Sequence, residues 1–370
     1  MLMRYKSASA SFYDCVIPVS GARDSYFIVD TIKNRYGLNP LLVHYNCHYN
    51  TNRGHRNLSY LRTQFDCDFY SQVLSPDTVK RLTRRTLKKR ASLYWHCLAG
   101  QTVLPVHVAV RYKIPLIIWG AHQGIDQVGM YSHLDGVEMS RKYRKDHDLM
   151  GLEAEDLVSE ADGLPEKDLL PFFYPHDKDI ERVGVRGIYL NNFIRWDTKA
   201  QHEKMIRCYS YETAAQTRTF DTYSDVDSFI YSDLHDYVKF LKFGYSKVTD
   251  HATREIRLRR MTRAQGIELV RQYTEKPPTE TNLFLKWLGI SERDLIETVD
   301  KFRDPAIWSR NNGGDWQLED RVDRHPHGDE HRRAELDLQE GKCAFEISKS
   351  RKPTYVEDRY VLIARGHVNQ

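Results

Sequence analysis

The chain has 370 residues, a net charge of +4, 41 % hydrophobic and 29 % charged residues, and a mean hydropathy of −0.63. That mix excludes a disordered polyelectrolyte, and with no apolar run near the roughly 18 residues of a membrane span and no apolar signal core at the start, a cytoplasmic protein without membrane contact is expected. Six cysteines, at 15, 47, 67, 97, 208 and 343, include no Cys-x-x-Cys pair, which fits a reducing compartment rather than a disulfide frame or a zinc ribbon.

In chain order, residues 14–20 (DCVIPVS) read as a buried strand, and the small polar run 20–25 (SGARDS) follows it. Apolar residues at 27, 28, 29, 32 and 36 predict a helix over 26–36 that Gly37 closes. A second buried strand is predicted at 40–45, a helix at 56–65, and a short strand at 67–70. One or two helices follow over 76–98, another over 99–112, and a third strong strand at 114–119. This alternation predicts an α/β fold, a parallel sheet covered by helices on both faces. Ligands of such sheets bind beyond the C-terminal strand ends where strand order reverses, which puts 20–25 and 120–123 on one edge.

From 124 to 186 the periodicity weakens among Pro165, Pro171, Pro175 and the acidic run 153–162, so an insertion or lid is expected at about 121–186. Residues 187–196 return to strand character, as a further strand of the same sheet. Helices predicted over 198–209, 228–243 and 262–273, and helical character over 282–308, make the second half mostly α. Residues 311–333 are expected to be loop-like, and 343–347 with 360–364 to form a terminal strand pair. The expected division is a sheet domain at 1–197 and a mostly helical region at 198–370 that binds substrate or partner.

The run 20–25 has a physical use. Small residues let backbone N–H groups converge at a helix start, where they and the helix dipole bind phosphate. Gly21 and Ala22 supply the small size, Ser20 and Ser25 hydroxyl donors, Arg23 a positive charge, and Asp24 a carboxylate for magnesium. The spacing is not that of a Walker loop. The alternative is a polar strand-to-helix turn in which Asp24 or Ser25 merely caps the helix.

The hexapeptide resembles the pyrophosphatase loop, Ser-Gly-Gly-x-Asp-Ser, of the ATP-pyrophosphatase (PP-loop) superfamily. The resemblance implies an adenine nucleotide alpha hydrolase-like (HUP) domain that uses ATP and Mg, with the adenine near Val43 and Tyr45 at the second strand end and Gly120 at the third. Ala22 departs from the glycine of that pattern, and Arg23 stands where lysine is common. Gly120-Ala121-His122-Gln123 falls where tRNA-modifying members carry Gly-His-Asn.

A second resemblance covers nearly the whole chain. Residues 13–26, 36–46, 114–120, 188–197 and above all 233–270 (DLHDYVKFLKFGYSKVTDHATREIRLRRMTRAQGIELV) are similar to the N-acetyl sugar amidotransferase family, which makes acetamidino sugars for surface polysaccharides such as lipopolysaccharide O-antigen. The matching positions include Lys242, Phe243, Gly244, Asp250, His251, Arg257, Arg259 and Arg263. Many members begin with a cysteine-rich segment that this sequence does not show. The resemblance implies an AMP-forming ligase that adenylates the acetamido oxygen of a nucleotide-linked N-acetyl sugar and replaces it with ammonia. Asp24, Lys242, Asp250, His251, Arg259 and Arg263 are then the catalytic candidates, with His251 or Asp250 moving a proton and the arginines countering charge on pyrophosphate. No Cys follows Met1 and no Cys-His-Glu glutaminase set is evident, so a separate glutaminase subunit is the expected ammonia source.

Taken without the family, Asp233, Asp236 and Lys239 can share a helix face as surface salt bridges, and Asp250-His251 can be a cap beside a buried imidazole. The basic run Lys80, Arg81, Arg84, Arg85, Lys88, Lys89 and Arg90 reads as a solvated helix face, or as a site for an anionic substrate or RNA. Two rivals follow: a tRNA-modifying PP-loop enzyme of the lysidine type, and a non-catalytic assembly subunit in which Ala22 has weakened ATP use. Nucleic acid is not the expected partner. His325, His327 and His331, and Cys47 between His44 and His48, are better explained structurally than as metal sites.

Overall fold

The computed structural model describes residues 1–8, 11–121, 138–158, 164–228, 230–325, 344–348 and 359–363. Its centre is a six-stranded sheet of β1 (Cys15–Pro18), β2 (Pro40–Tyr45), β3 (Phe69–Gln72), β4 (Leu116–Trp119), β5 (Glu138–Met139) and β6 (Arg186–Tyr189), in the order β3-β2-β1-β4-β6-β5. All neighbours are parallel except the β5 edge, which runs antiparallel to β6. Chain order moves from β1 to one side and returns through β4 to the other, so the crevice between β1 and β4 is the switch point where ligands bind in open α/β sheets.

Alternation along the strands explains the layers. Val16, Leu41 and Val43 feed one apolar cluster, and Cys15, Ile17 and Leu42 the opposite one. On the second face lie α1 (Leu2–Ala8), α2 (Arg23–Val29, continued as a π turn over Asp30–Arg35) and α3 (Asn52–Gln64), with Leu2, Tyr26, Ile28 and Leu61 packed there. On the first face lie α4 (Pro76–Arg90) and α5 (Trp95–Tyr112), with Leu82, Leu87, Leu104 and Val108 inward. Helix α2 begins three residues before the predicted start, because Arg23 to Ser25 form a polar first turn that apolar periodicity does not register.

The second half is mostly helical: α6 (Thr198–Tyr209), α7 (Asp236–Phe243, preceded by a π turn over Ile230–His235), α8 (Lys247–Arg257), α9 (Arg263–Tyr273), α10 (Thr281–Leu288) and α11 (Glu292–Asp300). Helix α6, on the C-terminal side of the expected boundary, packs on the sheet layer through Met205, with Lys204 bonded to Asp30 at 2.8 Å. Leu234, Val238, Phe284 and Leu288 join the cluster that α4 and α5 make with the sheet, so one apolar core runs through both halves.

Of the stretch expected as insertion or lid, 122–137 and 159–163 lie outside the described residues. The rest is packed, with Leu149, Leu152, Leu157 and Phe172 buried in the same core. Residues 311–325, expected as loop, instead contribute to a hairpin. Strands β7 (Trp308–Arg310) and β8 (Trp316–Leu318) pair antiparallel across a turn in which Asn311 accepts from Gly313 and Asp315. The terminal pair is present as β9 (Ala344–Ser348) and β10 (Arg359–Ile363), antiparallel. No helix among the described residues is long and apolar enough to cross a membrane.

The basic helix α4 is largely spoken for. Arg81 pairs with Asp77 (2.8 Å) and Asp168 (2.6 Å), Arg84 donates to the Leu288 carbonyl (2.8 Å), and Lys80 lies 5.0 Å from the Trp287 ring centre. These contacts dock α10 against the sheet domain and account for much of the charge.

One crossing decides the site. Residues 221–228 return from the second half and lie against the start of α3, with Thr51 N–H donating to the Asp227 carbonyl at 3.0 Å and an Asn50–Ser228 bridge beside it. A Cβ on Gly54 would sit 2.6 Å from the Asp227 Cα, a distance that requires backbone to move. Gly54→Ala is therefore expected to destabilise the protein by about 1–3 kcal/mol by displacing this strap, measured by urea unfolding.

Candidate functional site

The loop after β1 is closed by its own serines. The Ser25 hydroxyl accepts from the Ser20 N–H at 3.1 Å, and the Ser20 hydroxyl accepts from the Ala22 N–H at 3.2 Å. Gly21 has φ +82°, and a Cβ there would lie 3.0 Å from the Gly54 carbonyl oxygen and the Leu58 Cβ, so glycine is required on both counts. Ala22 has φ −77° and ψ 175°, ordinary extended backbone. The methyl group that departs from the family pattern therefore imposes no backbone strain. Ala22→Gly is expected to lower stability by less than about 1 kcal/mol, since neither residue is strained at this φ and glycine only loosens the unfolded chain; urea unfolding measures it.

Asp24, in the first turn of α2, lies 3.2 Å from the Arg23 guanidinium. Gly120 approaches this turn closely: a Cβ there would come within 2.8 Å of the Ile28 side chain and 3.5 Å of the Asp24 Cβ. Thus the ends of β1 and β4 meet at Asp24, at the switch point. Asp24 offers one carboxylate, and the described residues contain no group of three His, Cys, Asp or Glu able to hold a metal. A magnesium ion takes one or two carboxylates and fills its shell with phosphates and water, a role the Asp24 carboxylate has the chemistry for. Val43 and Tyr45, expected near the adenine, are core residues: Val43 is buried, and Tyr45 packs under Gly100 and bonds His96 at 3.2 Å. Their side chains do not line the cavity at this edge, because β2 is covered on both faces.

Beside the loop lies a cavity of about 540 Å³. Arg23, from the loop, lines it together with Lys242, Asp250 and His251 from α7 and α8. The 221–228 strap joins the two sides. Arg23 donates to the Ser224 hydroxyl at 2.6 Å, and Ser224 in turn donates to Asp221 at 2.8 Å. Asp221 also takes Arg254 at 2.8 Å, with the His251 ring 3.8 Å away. Burial alone would raise the Asp221 carboxyl, but the guanidiniums of Arg254 and Arg23 hold it well below the carboxylate range. Burial keeps His251 neutral far below its ordinary value, with Arg254, Arg23 and Lys247 adding to the effect and Asp221 opposing it. The Nδ1 of His251 bonds the Thr219 hydroxyl at 2.7 Å, which fixes the ring. Asp250 is paired with Lys239 at 2.7 Å. Burial lowers Lys242 to about 8.

Two arginines named from sequence fall elsewhere. Arg259, at φ +60°, and Arg263 are exposed beyond the end of α8 and do not line the cavity; Arg263 donates to the His325 carbonyl at 2.6 Å. The reason is helix phase. Only the early part of α8 faces the cavity, which presents Asp250, His251 and Arg254, and the chain turns away after Arg257. The charge-bearing guanidiniums at the cavity are Arg23 and Arg254. Asp236, read as a surface salt-bridge former, is buried and paired with Arg218 at 2.8 Å. Of the histidines near the C-terminus, His325 bonds Asp320 at 2.6 Å, while His327 and His331 lie outside the described residues, as do His122 and Gln123. His44 bonds the Val19 carbonyl at 2.9 Å, a structural role. Sequence reasoning did not find Asp221, Ser224 and Asp225; the signal available was the run DTYSDVDS, rich in short polar side chains that bond their own backbone.

The site is therefore an α/β switch-point crevice with a small-residue phosphate loop, closed by a helical second half. Residues 217–322 of that half match the family model "LPS biosynthesis protein WbpG-like, C-terminal domain", so the chain carries a WbpG-like C-terminal domain. Among solved structures, NMN synthetase from Francisella tularensis is similar at 13 % identity over 58 % of this chain and 91 % of that one, with a TM-score of 0.26. A predicted subunit of tRNA methyltransferase from Methanocaldococcus jannaschii is similar at 14 % identity over 52 % of this chain and 86 % of that one, with a TM-score of 0.22. No curated protein matches the chain.

Proposed function

We propose that the protein is the ATP-dependent synthetase of a sugar amidotransferase acting in lipopolysaccharide biosynthesis. The observation that carries this reading is the shared cavity: Arg23 of the phosphate loop lines it with Lys242, Asp250 and His251 of the segment that matches the lipopolysaccharide family. A nucleotide activated at the loop would thus meet an acceptor bound by the second half.

In the first step the acetamido oxygen of a nucleotide-linked N-acetyl sugar attacks the α-phosphorus of ATP. An O–P bond forms, the bond to the bridging oxygen breaks, pyrophosphate leaves, and the O-adenylated imidate keeps the amide N–H proton as a cation. Loop N–H groups, Arg23 and the α2 N-terminus bind the departing charge. Asp24 would hold the magnesium ion, which neutralises phosphate charge when bound. In the second step ammonia adds to the imidate carbon, its excess proton passes to a base, and AMP leaves to give the amidine. His251 is assigned as that base on geometry: Thr219 fixes its ring at Nδ1, and the Asp221 carboxylate 3.8 Å away would stabilise the imidazolium against burial and the neighbouring guanidiniums. Asp250 keeps Lys239 in place beside it. Ammonia is supplied by a separate glutaminase subunit.

The test is incubation with ATP, magnesium, ammonium chloride and a panel of UDP-linked N-acetyl sugars. AMP and pyrophosphate should appear only with the right acceptor, whose product is one mass unit lighter. ATP binding with no turnover on any sugar would instead favour a different acceptor such as tRNA, and absence of ATP binding would favour an assembly role.

A further inference from the structure

Two buried ionisable groups face the cavity without an opposite charge to bond. Among the described residues the Asp148 carboxyl, in a residue only 5 % exposed, has no hydrogen-bond partner. The guanidinium near it, Arg144, is committed elsewhere: to Thr102 at 2.9 Å, to Glu153 at 2.6 Å, and to the carbonyls of Ala99 and Phe172. Lys242, 8 % exposed, donates to one neutral acceptor, the Arg90 carbonyl at 2.9 Å, and pairs with no carboxylate among the described residues. Other buried charged groups of the same wall are paired: Lys239 with Asp250 and Arg254 with Asp221.

An unpaired acid and an unpaired base in one buried cavity are costly to fold. The cost is visible in both: burial raises Asp148 to about 7 against the pull of Arg144, and lowers Lys242 to about 8. Asp148 ends the π turn Arg144–Asp148, and a second π turn, Ile230–His235, brings His235 to the same cavity. Single π turns recur at functional sites because they re-aim side chains at the expense of helix geometry. A ligand that brought an anion to Lys242 and hydroxyl donors to Asp148 would satisfy both groups at once. The cavity volume of about 540 Å³ suits a small molecule, and Val238 and Phe243 give it an apolar wall.

We infer that Asp148 and Lys242 form the acceptor subsite, which takes a sugar bearing a phosphate ester, its hydroxyl groups donating to Asp148 and its phosphate meeting Lys242. The ligand class rests on the synthetase reading; the vacancy of charge does not.

Binding measured by calorimetry on the full chain, without ATP, tests it. The probes are N-acetylglucosamine, its 1-phosphate, the UDP-linked sugar, and UDP alone. Lys242→Met should weaken the two phosphorylated sugars about tenfold or more and leave the neutral sugar unchanged, since it removes one charge-assisted contact. Asp148→Leu should weaken all three sugars about tenfold and leave UDP unchanged, since it removes hydrogen bonds to an ionised group. Asp148→Asn should melt at or above the wild-type temperature, the reverse of what a structural carboxylate would give. Binding of the 1-phosphate as tightly as the UDP-linked sugar makes the phosphate ester sufficient, and tighter binding of the UDP-linked sugar makes the carrier part of recognition; both support the subsite. Wild-type sugar affinity in Asp148→Leu, or no sugar binding by the wild type, overturns it. Sugar binding without any pyrophosphate release would leave the subsite standing and overturn the synthetase reading.

Discussion

Arg218→Leu is expected to lower the unfolding free energy by about 3–5 kcal/mol, the range for removing one partner of a buried ion pair. The Arg218 side chain is fully buried, holds Asp236 at 2.8 Å, donates to the carbonyls of Thr274 and Lys276, and lies 5.1 Å from the Tyr237 ring centre. Leucine leaves the two carbonyls without this donor and the Asp236 carboxylate without a counter-charge, held by the Lys247 N–H at 2.6 Å. Arg218→Lys should recover little, because an ammonium cannot reach a carboxylate and two carbonyls from one planar fork. Much of the loss comes from the stranded carboxylate, so Arg218→Leu combined with Asp236→Leu should be more stable than Arg218→Leu alone. Urea denaturation of the three variants measures this. Equal losses in the single and double variants would show that the carbonyl bonds dominate.

His251→Gln is expected to cut amidine formation about 10²- to 10⁴-fold, the usual contribution of a positioned proton acceptor. Glutamine can still bond the Thr219 hydroxyl that holds Nδ1 now, but it takes up no proton. The adenylation half-reaction needs no base, so sugar-dependent exchange of labelled pyrophosphate into ATP should stay within about threefold of wild type, as expected when only the second step loses its catalytic group. Loss of exchange together with amidine formation would assign His251 to holding Asp221 and Arg254 rather than to proton transfer.

Elements with a strong apolar period were legible as they stand. The strand at 40–45 and the helix at 198–209 have the predicted bounds, since every residue of the first is buried and the second is capped by Asp197. Short elements were not. Three-residue strands such as β7 and β8 are below the length at which alternation can be counted, and the Asn-Gly-Gly turn between them reads as loop. At the site, Arg23 could be named from the local pattern of the loop, and Lys242, Asp250 and His251 from the resemblance of 233–270 to a family. Asp148 and Ser224 could not, because their importance arises from tertiary neighbours: the Arg23–Ser224 bond spans 201 residues. Arg259 and Arg263 were chosen for density of charge along the chain, which does not reveal where a helix ends or which face it turns inward.

The strap at 221–228 lies inside the family-matching segment, which begins at 217, yet it completes the nucleotide side of the cavity through Arg23. On the proposed function, part of the nucleotide site therefore lies within the segment that matches the family model. A chimera that joins this sheet domain to another member's second half just before 217 imports a foreign partner for Arg23, whereas a junction after 228 keeps the native one. Evolution of new acceptors on this scaffold is constrained in the same way: recombination that exchanges sugar specificity must also preserve compatibility with a phosphate loop some two hundred residues upstream.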